Sequence, residues 1–224
     1  MEIALIKQPR VFTHQAAYRL AKRVLDLAIC VLILPLAIPI MLISALAIRL
    51  DSPGPVIFIQ DRIGLGGKRF RIYKFRTMKL NSDNRECREF MKSYIRGEMR
   101  ADDENQQVYK PIKGDEIFWV GRILRRTSLD ELPQLINVLR GEMSIIGPRP
   151  NVTWEVDAYR PWHHERLEVL PGITGLAQVR GRSSIDFTSL VRYDIEYVER
   201  QSLMLDLKIL WLTLLVAVRG KGAM

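Results

Sequence analysis

Between residues 27 and 48 the chain reads LAICVLILPLAIPIMLISALAI and contains no charged side chain. At a rise of about 1.5 Å per residue, a helix of this length matches the roughly 30 Å hydrocarbon core of a bilayer. The run is also too long, and lacks the small-residue cleavage site, for a secretory signal peptide. A membrane segment is therefore the strongest constraint on the fold, and its length alone favours a helix that crosses the membrane.

Two features of the run argue against a simple crossing. Pro35 and Pro39 lie in its middle, about one turn apart, and each removes a helix hydrogen bond and bends the helix. Both flanks are basic, since five Lys or Arg residues precede the run and residues 62–79 contain seven with no Asp or Glu. Because basic flanks stay on the cytoplasmic side, we predict a re-entrant membrane helix over residues 22–50 that bends at the prolines and returns to the same face.

The rest of the chain divides around this segment. Residues 1–21 are predicted to form a cytoplasmic N-terminal segment, and residues 51–224 a cytosolic, membrane-associated domain. Within that domain, Asp206 and Lys208 interrupt the apolar stretch at residues 203–218 and leave a continuous run that is too short to cross a bilayer. We predict a helix there that packs in the core or lies in the membrane interface.

The cytosolic domain begins with a predicted β-hairpin. Residues 56–60 (VIFIQ) and 70–75 (FRIYKF) are typical of strands, and the glycines at 64–67 supply a turn. Residues 81–116 are polar and are predicted to form a solvated insertion with a short helix, whereas residues 130–139 have the spacing of an amphipathic helix. The predicted fold class is α+β and mostly helical, with a re-entrant membrane hairpin, interfacial amphipathic helices and a small β-hairpin.

Two adjacent carboxylates, Asp130 and Glu131, lie at the predicted start of that amphipathic helix, downstream of Arg125. A carboxylate can act as a nucleophile or a base, and a helix N-terminus with nearby arginines holds phosphate, so the segment suggests chemistry on a phosphate ester. The competing interpretation is a capping box, because Ser128-x-x-Glu131 has the spacing at which Glu131 only satisfies backbone N–H groups. On this segment alone the capping box is the favoured interpretation.

If the pair is functional, its position indicates its chemistry. The helix dipole is expected to favour ionised Asp130, and adjacent residues diverge in direction, which suits one nucleophile and one base. Mg²⁺ prefers one or two carboxylates with phosphate oxygens, so Asp130 is also a candidate metal ligand. Downstream, Pro148 and Pro150 restrict the backbone around Arg149, which predicts an anion-binding arginine or, alternatively, an ordinary turn with a surface arginine.

Composition limits the remaining classes of function. The net charge of +9 over 224 residues implies anionic partners: nucleic acid, lipid headgroups or phosphorylated substrates. Cys30 and Cys87 cannot build a disulfide framework, which favours a reducing, cytoplasmic environment. His163 and His164 are consecutive and lack the ligand spacing of a zinc site. Aromatic residues do not interleave the basic stretch at 62–79 as a nucleic-acid stacking platform requires, so we expect no nucleic-acid partner.

Beyond these single features, an ordered series of motifs resembles the monotopic polyprenyl-phosphate phosphoglycosyl transferases, also called bacterial sugar transferases. The resemblance extends over most of the chain, from residue 22 to residue 218. The matching motifs are, in order, Lys22-Arg23-x-x-Asp26, Phe58-x-Gln60-x-Arg62-x-Gly64, Tyr73-Lys74-Phe75-Arg76-Thr77-Met78, Arg125-x-x-Ser128-Leu129-Asp130-Glu131-Leu132-Pro133-Gln134, Asn137-Val138-Leu139-x-Gly141-x-Met143-Ser144, Gly147-Pro148-Arg149-Pro150, Pro171-Gly172-Ile173-Thr174-Gly175 and Gln178-Val179-x-Gly181-Arg182.

This resemblance implies an enzyme that transfers a sugar-1-phosphate from a UDP-sugar to undecaprenyl phosphate, releases UMP and starts bacterial surface glycan assembly. It implies that Asp130 attacks the β-phosphorus to form a covalent phosphoglycosyl-aspartate, that Glu131 is a base or positioning group, and that Mg²⁺ binds at Asp130. It also implies a location on the cytoplasmic face of the bacterial inner membrane, among anionic lipids. The implied phosphate- and nucleotide-binding residues are Lys74, Arg125, Pro148, Arg149, Pro150 and Arg182.

Several questions stay open at the level of sequence. Ile38 precedes Pro39 where some family members have serine, which leaves the geometry of the membrane bend open. The insertion at 81–116 resembles that of hexose-transferring exopolysaccharide and O-antigen enzymes, but the sugar is not determined. A homodimer that uses Trp154, Trp162 and the insertion is an alternative to a monomer. The runner-up function is a membrane-tethered basic binding module without turnover.

Overall fold

The computed structural model describes residues 15–80, 85–97, 116–181 and 185–218. Helix α1, Gln15–Asp51, leads into an antiparallel hairpin of strands β1, Ile57–Ile63, and β2, Arg69–Phe75. Two short strands, β3, Ser144–Ile146, and β4, Gly172–Thr174, pair in parallel. The other helices are α2, Arg85–Arg96, α3, Trp119–Thr127, α4, Leu135–Leu139, α5, Thr153–Val156, α6, Leu176–Arg180, α7, Phe187–Arg200, and α8, Leu203–Val218. The prediction of a mostly helical chain with a small β-hairpin is confirmed.

Helix α1 contains the whole apolar run. Both Pro35 and Pro39 lie inside this one helix, so the chain does not divide into two helices at the prolines, and the re-entrant path stays a prediction. Among the residues that the structure describes, this is the one helix long and apolar enough to cross a membrane. Its most exposed apolar residues are Leu20, Val31, Leu32, Leu36, Leu42, Ile43, Leu46 and Leu50.

The first turns of α1 are fixed to the rest of the protein by polar contacts. Tyr18 Oη and Lys22 Nζ lie 2.9 and 3.1 Å from Oδ2 of Asp206, a fully buried residue of α8. One turn further, Asp26 Oδ1 accepts hydrogen bonds from Ser144 Oγ and from the backbone N–H of Ile145, both at 3.0 Å. These contacts join α1 to α8 and to β3.

The last turns of α1 contact the same body of the protein. Ile48 is fully buried in a cluster that includes Phe75 of β2 and Phe118. Asp51 Oδ2 accepts a 2.7 Å hydrogen bond from the backbone N–H of Val120, near the start of α3, where helix N–H groups lack partners of their own. Both ends of the apolar helix are therefore anchored on one domain.

The β-hairpin was predicted and is confirmed, with β1 extending to Ile63. Its register pairs Ile57 with Phe75 and Ile63 with Arg69. Gly66 and Gly67 have φ values of 63° and 77° in the connecting turn, a left-handed conformation that glycine adopts without a Cβ penalty.

Asn137 of α4 holds the free edge of this hairpin. Its side-chain Oδ1 accepts from the backbone N–H of Tyr73 at 3.2 Å, and its Nδ2 donates to the carbonyl of Arg71 at 2.6 Å. The Asn137 carboxamide thus forms the hydrogen bonds to the β2 backbone that a neighbouring strand would form. This contact sets the distance between β2 and the segment that precedes α4.

Helix α8 buries one side and exposes another. Asp206 and Ile209 are fully buried, and Thr213 Oγ1 lies 2.8 Å from Thr174 Oγ1 of β4. The exposed side carries apolar residues at helical spacing, and these are Met204, Leu207, Trp211 and Leu214. The prediction of a helix at 203–218 is confirmed. A helix with one such exposed face fits the interfacial alternative, which stays a prediction.

Candidate active site

Asp130 and Glu131 lie on a 3₁₀ helix, Leu129–Gln134, that continues directly into α4. The predicted single α-helix over residues 130–139 is therefore wrong in its first half. Ser128, just before it, has a left-handed backbone with φ 56° and forms no side-chain cap, so the capping-box interpretation is also wrong. Because this 3₁₀ helix runs over the inward face of β2, both carboxylates lie beside the hairpin.

Glu131 is the centre of an ion cluster formed by Lys74, Glu131 and Arg149. Its Oε1 lies 2.9 Å from Lys74 Nζ, contributed by β2, and 2.6 Å from an Arg149 guanidinium nitrogen. The side chains of Glu131 and Lys74 are 17% and 15% exposed, whereas Arg149 is 49% exposed and faces solvent. The glutamate therefore holds two cations from separate segments next to Asp130.

This cluster determines the charge of Glu131. Burial alone would raise the pKa of Glu131, but the charges of Arg149 and Lys74 and their hydrogen bonds outweigh burial and hold that pKa well below its usual range. A carboxylate with such a low pKa is a poor proton acceptor near neutral pH. Of the two roles expected for Glu131, a base or a positioning group, this environment favours positioning.

Asp130 differs from its neighbour in its contacts. Among the described residues it forms no hydrogen bond or ion pair, and it is half-buried. Burial and the negative charge of Glu131 raise the pKa of Asp130, while Lys74, Arg149 and Arg125 oppose the rise. The prediction that a helix dipole lowers the pKa of Asp130 is therefore wrong. A six-residue 3₁₀ helix next to another carboxylate does not compensate for the effect of burial on this pKa. Both carboxylate oxygens are therefore left available to a ligand by the residues that the structure describes.

The loop formed by Pro148, Arg149 and Pro150 is held at each of its carbonyl oxygens. The backbone N–H of Gly172 donates to Pro148 O at 2.9 Å, Arg166 donates to Arg149 O at 3.0 Å, and Arg62 donates to Pro150 O at 3.0 Å. Both prolines are buried. We refer to this stretch as the Pro-Arg-Pro loop. Its backbone is fixed before any ligand binds, while the Arg149 side chain stays accessible.

Gly172 also shows why this loop is close to β4. A Cβ at Gly172 would collide with the backbone of Gly147, the residue that precedes the loop. Only a residue without a side chain allows β3 and β4 to approach at this point. The glycine therefore positions the loop, a role that its motif did not predict.

Arg166 and Asp194 were not identified from the sequence, yet they support the site. Their side chains are 2% and 1% exposed and form an ion pair at 2.5 Å. Arg166 also donates to Asn151 Oδ1 and to the hydroxyl of Tyr159, at 2.8 and 2.6 Å. The pair joins residues 28 positions apart in sequence, on different elements, so no local pattern could have revealed it.

We predict a large loss of stability when this pair is broken. Arg166→Met leaves the Asp194 carboxylate buried without a partner, which costs about 3–5 kcal/mol. The double variant Arg166→Met/Asp194→Leu should recover most of the loss. Thermal unfolding in nanodiscs measures both, with Arg180→Met as the matched control because Arg180 pairs with Glu196 at an exposed site worth at most about 1 kcal/mol. Equal unfolding temperatures for Arg166→Met and the control would contradict this role.

Other predicted site residues are distributed as follows. Arg125, on the last turn of α3, lies close enough for its charge to oppose the rise in the pKa of Asp130. Arg182 lies outside the described residues. Arg62, named in a motif without a role, is a support of the Pro-Arg-Pro loop. His163 is buried and its Nδ1 accepts from the backbone N–H of Arg160, in keeping with a packing residue.

A family model described as bacterial sugar transferase matches residues 17–220. The UDP-glucose:undecaprenyl-phosphate glucose-1-phosphate transferase of Caulobacter vibrioides is 44% identical over 204 residues, which is 87% of this chain and 68% of that protein. The undecaprenyl-phosphate galactose phosphotransferase of Salmonella typhimurium is 40% identical over 92% of this chain and 42% of that protein. The exopolysaccharide production protein ExoY of Sinorhizobium fredii is 37% identical over 91% of this chain and 88% of that protein.

These relatives differ in length and in sugar. The chain spans about two thirds of the Caulobacter protein and less than half of the Salmonella protein. The first of these acts on glucose and the second on galactose, as their names state. Similar sequences therefore serve different hexoses.

Proposed function

The chain belongs to the bacterial sugar transferase family, and we propose that it transfers a sugar-1-phosphate from a UDP-sugar to undecaprenyl phosphate, with release of UMP. The observation that carries this proposal is the carboxylate of Asp130, which pairs with no other described residue and lies beside the Lys74–Glu131–Arg149 ion cluster. A free nucleophile next to fixed cations suits phosphoryl transfer, which depends mainly on positioning and charge neutralisation. The product would be the first membrane-linked intermediate of a bacterial surface glycan.

The proposed reaction has two displacements at one phosphorus. A carboxylate oxygen of Asp130 attacks the β-phosphorus of the UDP-sugar, the phosphoanhydride bond breaks, and UMP leaves with the bonding electrons. A phosphate oxygen of undecaprenyl phosphate then attacks the same phosphorus, and the Asp130 carboxylate leaves. Because a phosphate oxygen is already ionised, the second displacement needs no strong base, in agreement with a positioning role for Glu131.

The cations of the site have distinct tasks in this scheme. Lys74 is only 15% exposed and is fixed by Glu131, so it can neutralise charge close to the reacting phosphorus. Arg149 is more exposed on a rigid loop, which suits the diphosphate of an incoming nucleotide. Arg125 approaches Asp130 from α3 and can contact the acceptor phosphate. Preorganised charges of this kind typically contribute 10²- to 10³-fold each in rate.

Mg²⁺ is proposed to bind at Asp130 together with the substrate. Among the described residues no three His, Cys, Asp or Glu side chains form a metal cage. Mg²⁺ commonly uses one or two carboxylates plus substrate phosphates. The half-buried carboxylate of Asp130, which has no partner in the described part of the chain, fits that pattern. When bound, the ion would neutralise charge on the diphosphate.

We also propose that the protein is monotopic on the cytoplasmic face of the inner membrane. A helix that crosses a bilayer has its ends on opposite faces, whereas both ends of α1 contact one domain through Asp26 and Asp51. This supports the re-entrant path. Helix α3 exposes Trp119, Arg122 and Ile123 on one side and carries Arg125 towards Asp130, which suits a site at the level of the lipid headgroups.

The proposed function is tested by UMP release from a panel of UDP-sugars by the protein in nanodiscs with undecaprenyl phosphate and Mg²⁺. We expect release from one or two UDP-hexoses and formation of an undecaprenyl-linked product. Salt-dependent binding of anionic lipids without UMP release from any donor would instead favour the basic binding module. A preference for one donor would identify the sugar. The sequence does not identify it, because hexoses that differ at one hydroxyl change few residues of a binding pocket.

Lys74 is expected to set an alkaline limit on the reaction. Burial and the charge of Arg149 lower the pKa of Lys74 to about 8, although Glu131 opposes this. Because the cation is lost as pH rises through this value, kcat/KM for the UDP-sugar should fall above about pH 8. Lys74→Arg, which stays charged, should be slower at neutral pH but lose this alkaline limb. An unchanged alkaline limb in Lys74→Arg would contradict the assignment to Lys74.

A further inference from the structure

Phe58 is an exposed aromatic residue on the face of the hairpin that carries the site. It pairs with Lys74 across the two strands, so both side chains project from the same face with Cβ atoms about 5 Å apart. The Phe58 side chain is 44% exposed although it is large and apolar. Neither the ion cluster nor the Pro-Arg-Pro loop explains its presence beside a cation of the site.

The two ends of this face have different neighbours. At one end Arg62 donates to Pro150 O and joins β1 to the Pro-Arg-Pro loop. At the other end Val56 packs against the cluster that contains Ile48, in the last turns of the apolar helix α1. Phe58 and Arg62 are four residues apart, about 13 Å along the strand. Along β1, Phe58 therefore lies nearer the membrane segment, and Arg62 lies nearer the Pro-Arg-Pro loop.

An apolar surface continues from Phe58 towards the membrane segment. Val56, two residues before Phe58 and on the same face of the strand, packs against the cluster at the last turns of α1, where Leu46 and Leu50 are 62% and 79% exposed. This surface ends at Lys74, where a cation is held. A cation at the end of an apolar surface is complementary to a phosphate ester with a long hydrocarbon tail.

We propose that Phe58 binds the isoprene units next to the phosphate of the lipid acceptor. This rests on the proposed function, because it assumes that the acceptor phosphate reaches Lys74 and Asp130. The tail is covalently joined to that phosphate, so its first units must lie within a few ångströms of the site and require an apolar surface there. Phe58 supplies this apolar surface on the membrane side. The nucleotide enters from the opposite end of the hairpin face that carries Phe58 and Lys74.

The test separates the two half-reactions in Phe58→Ala. We expect KM for undecaprenyl phosphate to rise on the order of tenfold, the effect of about 1.4 kcal/mol of lost apolar contact. Single-turnover UMP release without acceptor, KM for the UDP-sugar and association with nanodiscs should be unchanged. Phe58→Leu, which keeps an apolar contact, should recover most of the acceptor affinity.

Ile59→Ala is the matched control, because Ile59 is the next residue on β1, is 52% exposed and projects from the opposite face. It should leave KM for the acceptor unchanged. Slower single-turnover UMP release or a higher KM for the UDP-sugar in Phe58→Ala would overturn the proposal and indicate stacking on the nucleotide base. Equal effects in Ile59→Ala would also overturn it and indicate a general membrane contact. Absence of UMP release in the wild type would instead refute the proposed function itself.

Discussion

Asp130→Asn is expected to lower UMP release from the preferred UDP-sugar by at least about 10³-fold, with and without undecaprenyl phosphate. The amide has nearly the same shape as the carboxylate but is a very weak nucleophile, so the first displacement fails. Because Asp130 makes no hydrogen bond or ion pair with another described residue, its replacement breaks no contact that holds the fold. UMP release under single-turnover conditions is the measurement.

Asp61→Asn is a suitable control for this loss. Asp61 is an exposed acid of β1, and it pairs across the strands with Arg71, outside the ion cluster. The control should retain wild-type rates and the same unfolding temperature. UMP release by Asp130→Asn at the wild-type rate would exclude Asp130 as the nucleophile.

Glu131→Gln is expected to produce the second largest loss, about 10²- to 10³-fold in kcat/KM. Gln can accept hydrogen bonds but carries no charge, so Lys74 and Arg149 would repel each other and lose their common partner. Since the charge of Glu131 raises the pKa of Lys74, its removal should lower that pKa below about 8. The alkaline limb of the pH profile should therefore move to lower pH.

That shift distinguishes a positioning residue from a base. A general base would contribute an acidic limb to the pH profile, and Glu131→Gln would remove that limb. Positioning predicts instead that the alkaline limb moves and that the acidic limb of Asp130 is kept but moves to lower pH, because the charge of Glu131 no longer raises the pKa of Asp130. Loss of an acidic limb in Glu131→Gln, with the alkaline limb unmoved, would show that Glu131 acts as a base.

The sequence predicted the local parts of the fold well. The β-hairpin, the helix at 203–218 and the short helix in the polar insertion have patterns contained within a few residues, and the structure has all three. The segment around Asp130 was harder to interpret, because the same residues fit both a capping box and a pair of functional carboxylates. The left-handed backbone at Ser128, the residue that ends α3, distinguishes them in the structure.

The motifs named the charged residues of the candidate site but not the residues that hold them in place. Lys74, Glu131 and Arg149 meet as the motifs implied, since each carries a charge that a phosphate site requires. Arg166 and Asp194 were missed because a buried ion pair between distant residues has no signal in a single sequence. The role of Phe58 depends on strand register, which places it opposite Lys74, and register becomes visible only in three dimensions.

The most direct measurement is intact-protein mass spectrometry of the wild-type chain after incubation with its UDP-sugar and Mg²⁺ in the absence of undecaprenyl phosphate. We expect the mass to increase by one sugar-phosphate group, peptide mapping to locate the group on Asp130, and undecaprenyl phosphate to discharge it. UMP release that requires the acceptor, with no mass increase at any time before its addition, would show direct transfer without a covalent aspartyl intermediate.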